Sequence, residues 1–130
     1  MSDDVIDVSG EPDMFETLAA CDALITDYSA AMFDASFMRV PVFLFVYDLK
    51  EYIAERGQLM WENLKGLPFT VAENDDELLD VIENFDMNKY AYELERLFND
   101  VELFEDGHAA ERAINIIEEI IKHNAIRSNM

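Results

Sequence analysis

The sequence predicts an α/β fold: a mostly parallel sheet of about four strands with flanking helices and a helical C-terminal third. The apolar period switches several times between strand-like and helix-like spacing, which marks alternating β and α units. The segment P-V-F-L-F-V-Y at residues 41–47 is apolar on both faces, as only the middle of a covered parallel sheet needs to be. Only three prolines and four glycines interrupt 130 residues, which favours helices over the turn-rich strands of a β sandwich.

Taken in order, residues 5–8 read as a first strand, closed by Ser9, Gly10 and Pro12. A helix over residues 13–20 follows, with Met14, Phe15, Leu18 and Ala19 on one face. Cys21 lies in an apolar run and reads as a small core residue. Residues 23–26, A-L-I-T, make a buried second strand, residues 30–38 a second helix and residues 41–47 the third strand. A short helix over 49–55 ends at Gly57, and residues 58–68 read as a loop anchored by Trp61. Residues 69–72 supply a short fourth strand. The run N-D-D-E-L-L-D-V-I-E-N-F then predicts a helix capped by Asn74, with acids in its first turn and Leu78, Leu79, Val81, Ile82 and Phe85 as its buried stripe. Further helices cover residues 89–98 and 108–123, the last with Ala113, Ile114, Ile116, Ile117, Ile120 and Ile121 at helical spacing. The expected organisation is one domain over residues 1–124 and a frayed tail at 125–130.

Composition removes several function classes. A hydrophobic content of 51% argues against disorder, and a lone cysteine excludes a disulfide framework or a cysteine metal cluster. No apolar run approaches the roughly 20 residues that span a bilayer, and the N-terminus is acidic where a signal peptide is basic, so a cytoplasmic location without membrane insertion is expected. With 29 acidic against nine basic residues, the net charge of −20 repels nucleic acid and anionic lipid surfaces. The same field opposes a phosphorylated ligand. Any anion site must be local, built from backbone donors and a few cations such as Arg39, Arg56 or Arg112, which lie near loop signals. No metal and no cofactor is expected.

The stretch A-L-I-T-D-Y-S-A-A-M-F-D-A-S at residues 23–36 is where such a site can form. A short strand runs through Asp27 and Ser29 into a helix, so unpaired N–H groups gather above the strand's carboxyl end, where a phosphate or diphosphate fits. For a lone D-x-S, the alternative is a plain cap of a packed helix by Asp27 or Ser29.

The chain also reads D-V-S-G-E-P-D-M-F-E-T-L, then C-D-A-L-I-T-D-Y-S-A-A-M-F-D, then R-V-P-V-F-L-F-V-Y-D-L-K-E-Y, then E-R-G and E-D-G-H-A-A-E-R-A. In that order and spacing it resembles the C-terminal end of the CDP-glycerol glycerophosphotransferases, which prime or polymerise teichoic acid in Gram-positive bacteria. The resemblance covers almost all of residues 5–121, and the I-T-D-Y-S-x-x-M-F-D and P-V-F-x-x-x-Y-D-L blocks are its most specific parts. It implies part of the C-terminal, Rossmann-like domain of a GT-B fold with strand order 3-2-1-4-5-6, holding strands three to six only. The strand at residues 5–8 must then close up beside residues 23–26, stay loosely attached, or pair with another molecule.

The resemblance further implies that CDP-glycerol is the donor held by this half. Thr26, Asp27, Tyr28 and Ser29 fall on the family's T-D-Y-S, Asp34 on its M-F-D, Arg56 with Gly57 on its R-G, and Asp106, Gly107 and Arg112 on its D-G-x-x-x-x-R. There are departures: Ala30 and Ala110 stand where serines are usual, and Gln58, Leu59 and Met60 replace aromatic residues. The catalytic histidines implied by the resemblance belong to the other domain and to the region upstream of residue 1. No residue here is therefore assigned to catalysis, and His108 and His123 do not replace those histidines. Asp27 and Asp34 as an acid–base pair are set aside, because Asp34 is expected about two turns into its helix. The implied reaction moves glycerol phosphate from CDP-glycerol to a hydroxyl of a teichoic acid polymer. This chain is expected to be inactive alone, its partner the other half-enzyme and its place the cytoplasmic face of the membrane. The alternatives are a non-catalytic acidic α/β interaction module, or part of another GT-B nucleotide-sugar transferase.

Overall fold

A computed structural model describes residues 4–57 and 66–128. The expected loop around Trp61 falls largely outside the described residues. The chain divides into two compact units, Met1–Leu97 and Phe98–Met130.

The first unit carries α1 (Met14–Ala19), β1 (Leu24–Thr26), α2 (Ala31–Phe37), β2 (Val42–Phe45), α3 (Leu49–Arg56), β3 (Thr70–Ala72), α4 (Asp75–Glu83) and most of α5 (Met87–Asp100). Its sheet has three parallel strands in the order β1-β2-β3, with Leu24 opposite Val42 and Phe43 opposite Thr70. The segment apolar on both faces supplies the centre: Val42, Phe43 and Leu44 are buried, and β1 and β3 are edges.

Two expectations about strands are corrected. Residues 5–8 form no strand; Val5, Ile6 and Val8 are exposed. Among the described residues β1 pairs with β2 and with no other strand, so residues 5–8 are not part of the sheet. The second expected strand is present as β1 but is not buried, because an edge position leaves Ile25 half exposed.

The core extends from β2 into the later helices. The Phe43 ring meets Phe85 edge-on at 5.2 Å, and Phe85 in turn lies 5.5 Å from Tyr90. The buried Tyr90 hydroxyl donates to the Val40 carbonyl at 2.9 Å, and burial pushes its phenol up to about 12. Helix α4 starts as expected at Asn74, whose side chain accepts from the Glu77 N–H. Its inward stripe is narrower than expected: Leu78, Val81 and Phe85 are half-buried, while Leu79 and Ile82 are exposed. On α1 only Leu18 is buried. Cys21 is exposed, contrary to expectation, because it sits in the turn after α1 with its N–H bonded to the Leu18 carbonyl. Arg39, at φ 63°, closes α2 through bonds from its own N–H to Ser36 and from Val40 N–H to Ala35.

The second unit contains the end of α5, a connecting loop and α6 (Ala109–Ser128). Among the described residues, no helix is long and apolar enough to cross a membrane.

Candidate functional site

The parallel pairing of β1 with β2 sets Thr26 opposite Leu44, so the chain leaves both strands at the same edge of the sheet. After Thr26 the segment Asp27, Tyr28, Ser29 is not helical, and α2 begins at Ala31. Ser29 caps the start locally: its Oγ accepts from Ala31 N–H at 3.3 Å and its carbonyl from Met32 N–H at 3.2 Å. The Ala30 carbonyl accepts from Phe33 N–H at 2.9 Å. The serine thus caps the helix start, and the turn ahead of it is not helical. Among the described residues, no hydrogen bond engages the backbone N–H groups of Tyr28, Ser29 and Ala30. Asp27 and Ser29 are exposed, and Thr26 and Tyr28 are half-buried.

The chain leaving β2 reaches the same corner. Asp48 occupies the N-cap position of α3 but makes no side-chain bond to that helix. Its Oδ1 accepts instead from the Tyr28 hydroxyl at 2.9 Å. One helical turn on, the Tyr52 ring stacks on that of Tyr28, with centroids 3.8 Å apart and planes 26° from parallel. The Tyr28 phenol is raised well above its ordinary range, first by burial and then by the Asp48 carboxylate it bonds. Asp48, Tyr52 and Arg56 follow at intervals of four residues and so share one stripe of α3. Arg56 is exposed and makes no ion pair among the described residues. Gly57 ends the helix at φ 87° and ψ −174°, a backbone region essentially restricted to glycine.

Of the remaining sequence candidates, Asp34 stands in the first turn of α2, nearer the corner than the two turns expected, and is half-buried. Asp106, Gly107 and Arg112 lie in the second unit and close a loop there. Arg112 pairs with Asp106, donates to the Phe104 carbonyl at 2.9 Å and sits 4.7 Å from the centre of the Phe104 ring. The bond from Arg112 holds the Asp106 carboxyl below its usual range. Gly107 turns this loop at φ 79°. His108 Nδ1 lies 3.2 Å from Glu111 Oε2, both exposed. Arg39 pairs with Glu95.

Sequence reasoning missed Asp48 and Tyr52. A D-x-x-x-Y spacing at a helix start puts both on one face, but their meeting with Tyr28 depends on β1 lying beside β2. Among the described residues, no group of three or more His, Cys, Asp or Glu is arranged to hold a metal ion.

Residues 1–119 match the family model described as CDP-Glycerol:Poly(glycerophosphate) glycerophosphotransferase. The chain is 32% identical over 117 residues to the teichoic acid glycerol-phosphate transferase of Staphylococcus aureus, covering 88% of this chain and 30% of that one. It is likewise 32% identical over 121 residues to the teichoic acid glycerol-phosphate primase of Bacillus subtilis, covering 92% of this chain and 30% of the relative. The solved structure of the wall teichoic acid polymerase TagF superposes with a TM-score of 0.66 at 27% identity, over 92% of this chain and 30% of that one. The chain thus spans about 30% of the length of these relatives. A family match over nearly the whole chain, with the T-D-Y-S turn lying open at the end of a parallel sheet, places this protein in the CDP-glycerol glycerophosphotransferase family.

Proposed function

We propose that this chain binds the nucleotide donor for glycerol phosphate transfer, with the diphosphate of CDP-glycerol seated on the turn formed by Thr26, Asp27, Tyr28 and Ser29. The observation that carries this is the set of unengaged N–H groups at Tyr28, Ser29 and Ala30, held open where two parallel strands end. Crevices outside the carboxyl ends of parallel strands are where ligands bind in open α/β sheets. Arg56 shares a helix stripe with Tyr52, which is stacked on this turn, and is assigned to the diphosphate charge. Arg112 is already engaged by Asp106 and Phe104. In the whole enzyme the transfer goes to a teichoic acid hydroxyl, one histidine supplied from elsewhere takes the acceptor's proton and another assists the diphosphate, and this segment holds and orients the donor.

Titrating CDP-glycerol, CDP and CMP into isotope-labelled protein tests this assignment. Cytidine compounds are expected to shift the amides of residues 27–31 and of Arg56, other nucleotides much less. The Arg56→Ala protein is expected to bind CDP-glycerol roughly tenfold more weakly, the effect of losing one charge-assisted hydrogen bond. Equal affinity in that variant removes Arg56 from the site. Shifts with every nucleoside diphosphate favour a broader transferase. Silence throughout favours an acidic docking module, for which the net charge of −20 is the supporting observation.

A further inference from the structure

An aspartate at an N-cap position ordinarily accepts a hydrogen bond from its own helix two or three residues on. Asp48 holds that position on α3 and leaves its helix uncapped, reaching across 20 residues of sequence to the Tyr28 hydroxyl. Tyr52, one turn along the same stripe, covers the Tyr28 ring at 3.8 Å. The two contacts act on different parts of one side chain: the hydroxyl is fixed in direction by the carboxylate, and the ring plane by the stack. Tyr28 itself is the middle of the T-D-Y-S turn, and its backbone is continuous with the N–H groups of Ser29 and Ala30. Two contacts of different kinds thus restrain the side chain at the middle of that turn.

We propose that Asp48 and Tyr52 are positioning residues, which act through Tyr28 to hold the turn of residues 26–30 in the shape that leaves its N–H groups free. The inference rests on the donor-binding assignment above for its purpose, but its geometry stands without it. Order in a donor site has a direct effect on affinity, because a turn that must be ordered upon binding draws that entropy from the binding free energy. The arrangement also addresses an electrostatic difficulty. A carboxylate beside a diphosphate site repels the ligand, and the Tyr28 hydroxyl occupies Asp48 Oδ1 with a donated proton. Burial and this bond both keep the phenol in its protonated, donating form.

The test combines two measurements on the free protein with one on binding, in the variants Asp48→Ala, Asp48→Asn, Tyr52→Ala and Tyr52→Phe. Asparagine keeps an acceptor for Tyr28 and phenylalanine keeps the stack, so each is the conservative partner of its alanine. In Asp48→Ala and Tyr52→Ala the amides of Ser29 and Ala30 are expected to lose nitrogen-15 relaxation order while the amides of α4 hold their positions. Both alanine variants are expected to bind CDP roughly tenfold more weakly, and the conservative pair within about threefold of the parent. The Tyr28 phenol is expected to titrate lower in Asp48→Ala, where the bond and the field of the carboxylate are both lost. Unchanged order at Ser29 and Ala30 in both alanine variants, with the Tyr28 titration moved, overturns the proposal. Should either alanine variant fail to fold, Tyr28→Phe breaks the same hydrogen bond with the ring retained, and an ordered turn in that variant likewise overturns it. If the parent binds no cytidine compound, the donor assignment falls, and order at the turn in the free variants still decides the roles of Asp48 and Tyr52.

Discussion

At the scale of single residues, Tyr90 shows how a buried hydroxyl ties stability to pH. Its ring closes the Phe43, Phe85, Tyr90 chain of contacts, and its hydroxyl satisfies the Val40 carbonyl. Burial raises the folded phenol to about 12 from an ordinary 10.0. A group whose folded value is raised contributes stability that is complete below its unfolded value and lost as pH climbs through the folded one. Stability is thus expected to be flat up to about pH 10 and then to fall by on the order of 2 kcal/mol towards pH 12 on account of this residue. Tyr28, raised in the same direction, adds to the decline. Tyr90→Phe is expected to cost about 1 kcal/mol at neutral pH through the unpaired Val40 carbonyl, and to flatten the alkaline decline. Urea unfolding at pH 8 and pH 11.5 measures both. A variant whose loss of stability between those values equals the parent's places the titration elsewhere. The same scale explains what the sequence concealed at the site. Asp27 and Ser29 announce themselves by standing between a strand and a helix, whereas Asp48 and Tyr52 matter only through Tyr28, a contact that exists once β1 and β2 lie side by side.

At the scale of elements, legibility followed the source of each element's stability. Helix α4 was readable because its determinants are local: Asn74 accepts from Glu77 N–H at 3.0 Å, and the Glu77 carboxylate reaches back to Glu73 N–H at 2.8 Å. Three acids in its first turn complement the helix dipole. Asn74→Ala is expected to cost about 1 kcal/mol, seen as a lower thermal midpoint and faster amide exchange in the first turn of α4. An unchanged midpoint would mean that packing through Leu78, Val81 and Phe85 alone sets the start of the helix. Strand β2 was readable for a related reason, since its two-sided apolar pattern records burial that the sheet indeed supplies. Residues 5–8, V-I-D-V, also carry strand-forming residues and form no strand, because a strand's hydrogen bonds belong to its neighbour and composition says nothing about whether one is adjacent. The exposed isoleucines of α6 make the same point for helices: Ile114, Ile117 and Ile121 keep helical spacing, yet each is more than half exposed.

At the scale of the whole molecule, the net charge of −20 sets the conditions under which fold and site operate. Like charges on a compact chain repel, and unfolding lets them separate, so the folded state carries an electrostatic cost that salt screens. The Debye length falls from about 30 Å at 0.01 M to about 8 Å at 0.15 M, so the repulsion reaches far less widely at the higher salt. The thermal midpoint is therefore expected to rise across that range of sodium chloride. The few cations do not reverse this trend: the Arg39–Glu95, Lys89–Glu93 and Lys122–Glu118 pairs are solvent-exposed and contribute little that salt could remove. Donor binding gives the sharper form of the prediction. A site whose attraction comes from clustered lysines and arginines loses affinity for a diphosphate as salt is added. A site built from main-chain N–H groups and one arginine, within a negative field, loses repulsion instead, so affinity for CDP is expected to hold or rise between 0.01 and 0.15 M salt. Calorimetric titration at the two ionic strengths decides it. A steep fall would locate the attraction in a cluster of basic side chains, and the turn at Tyr28, Ser29 and Ala30 would no longer account for binding.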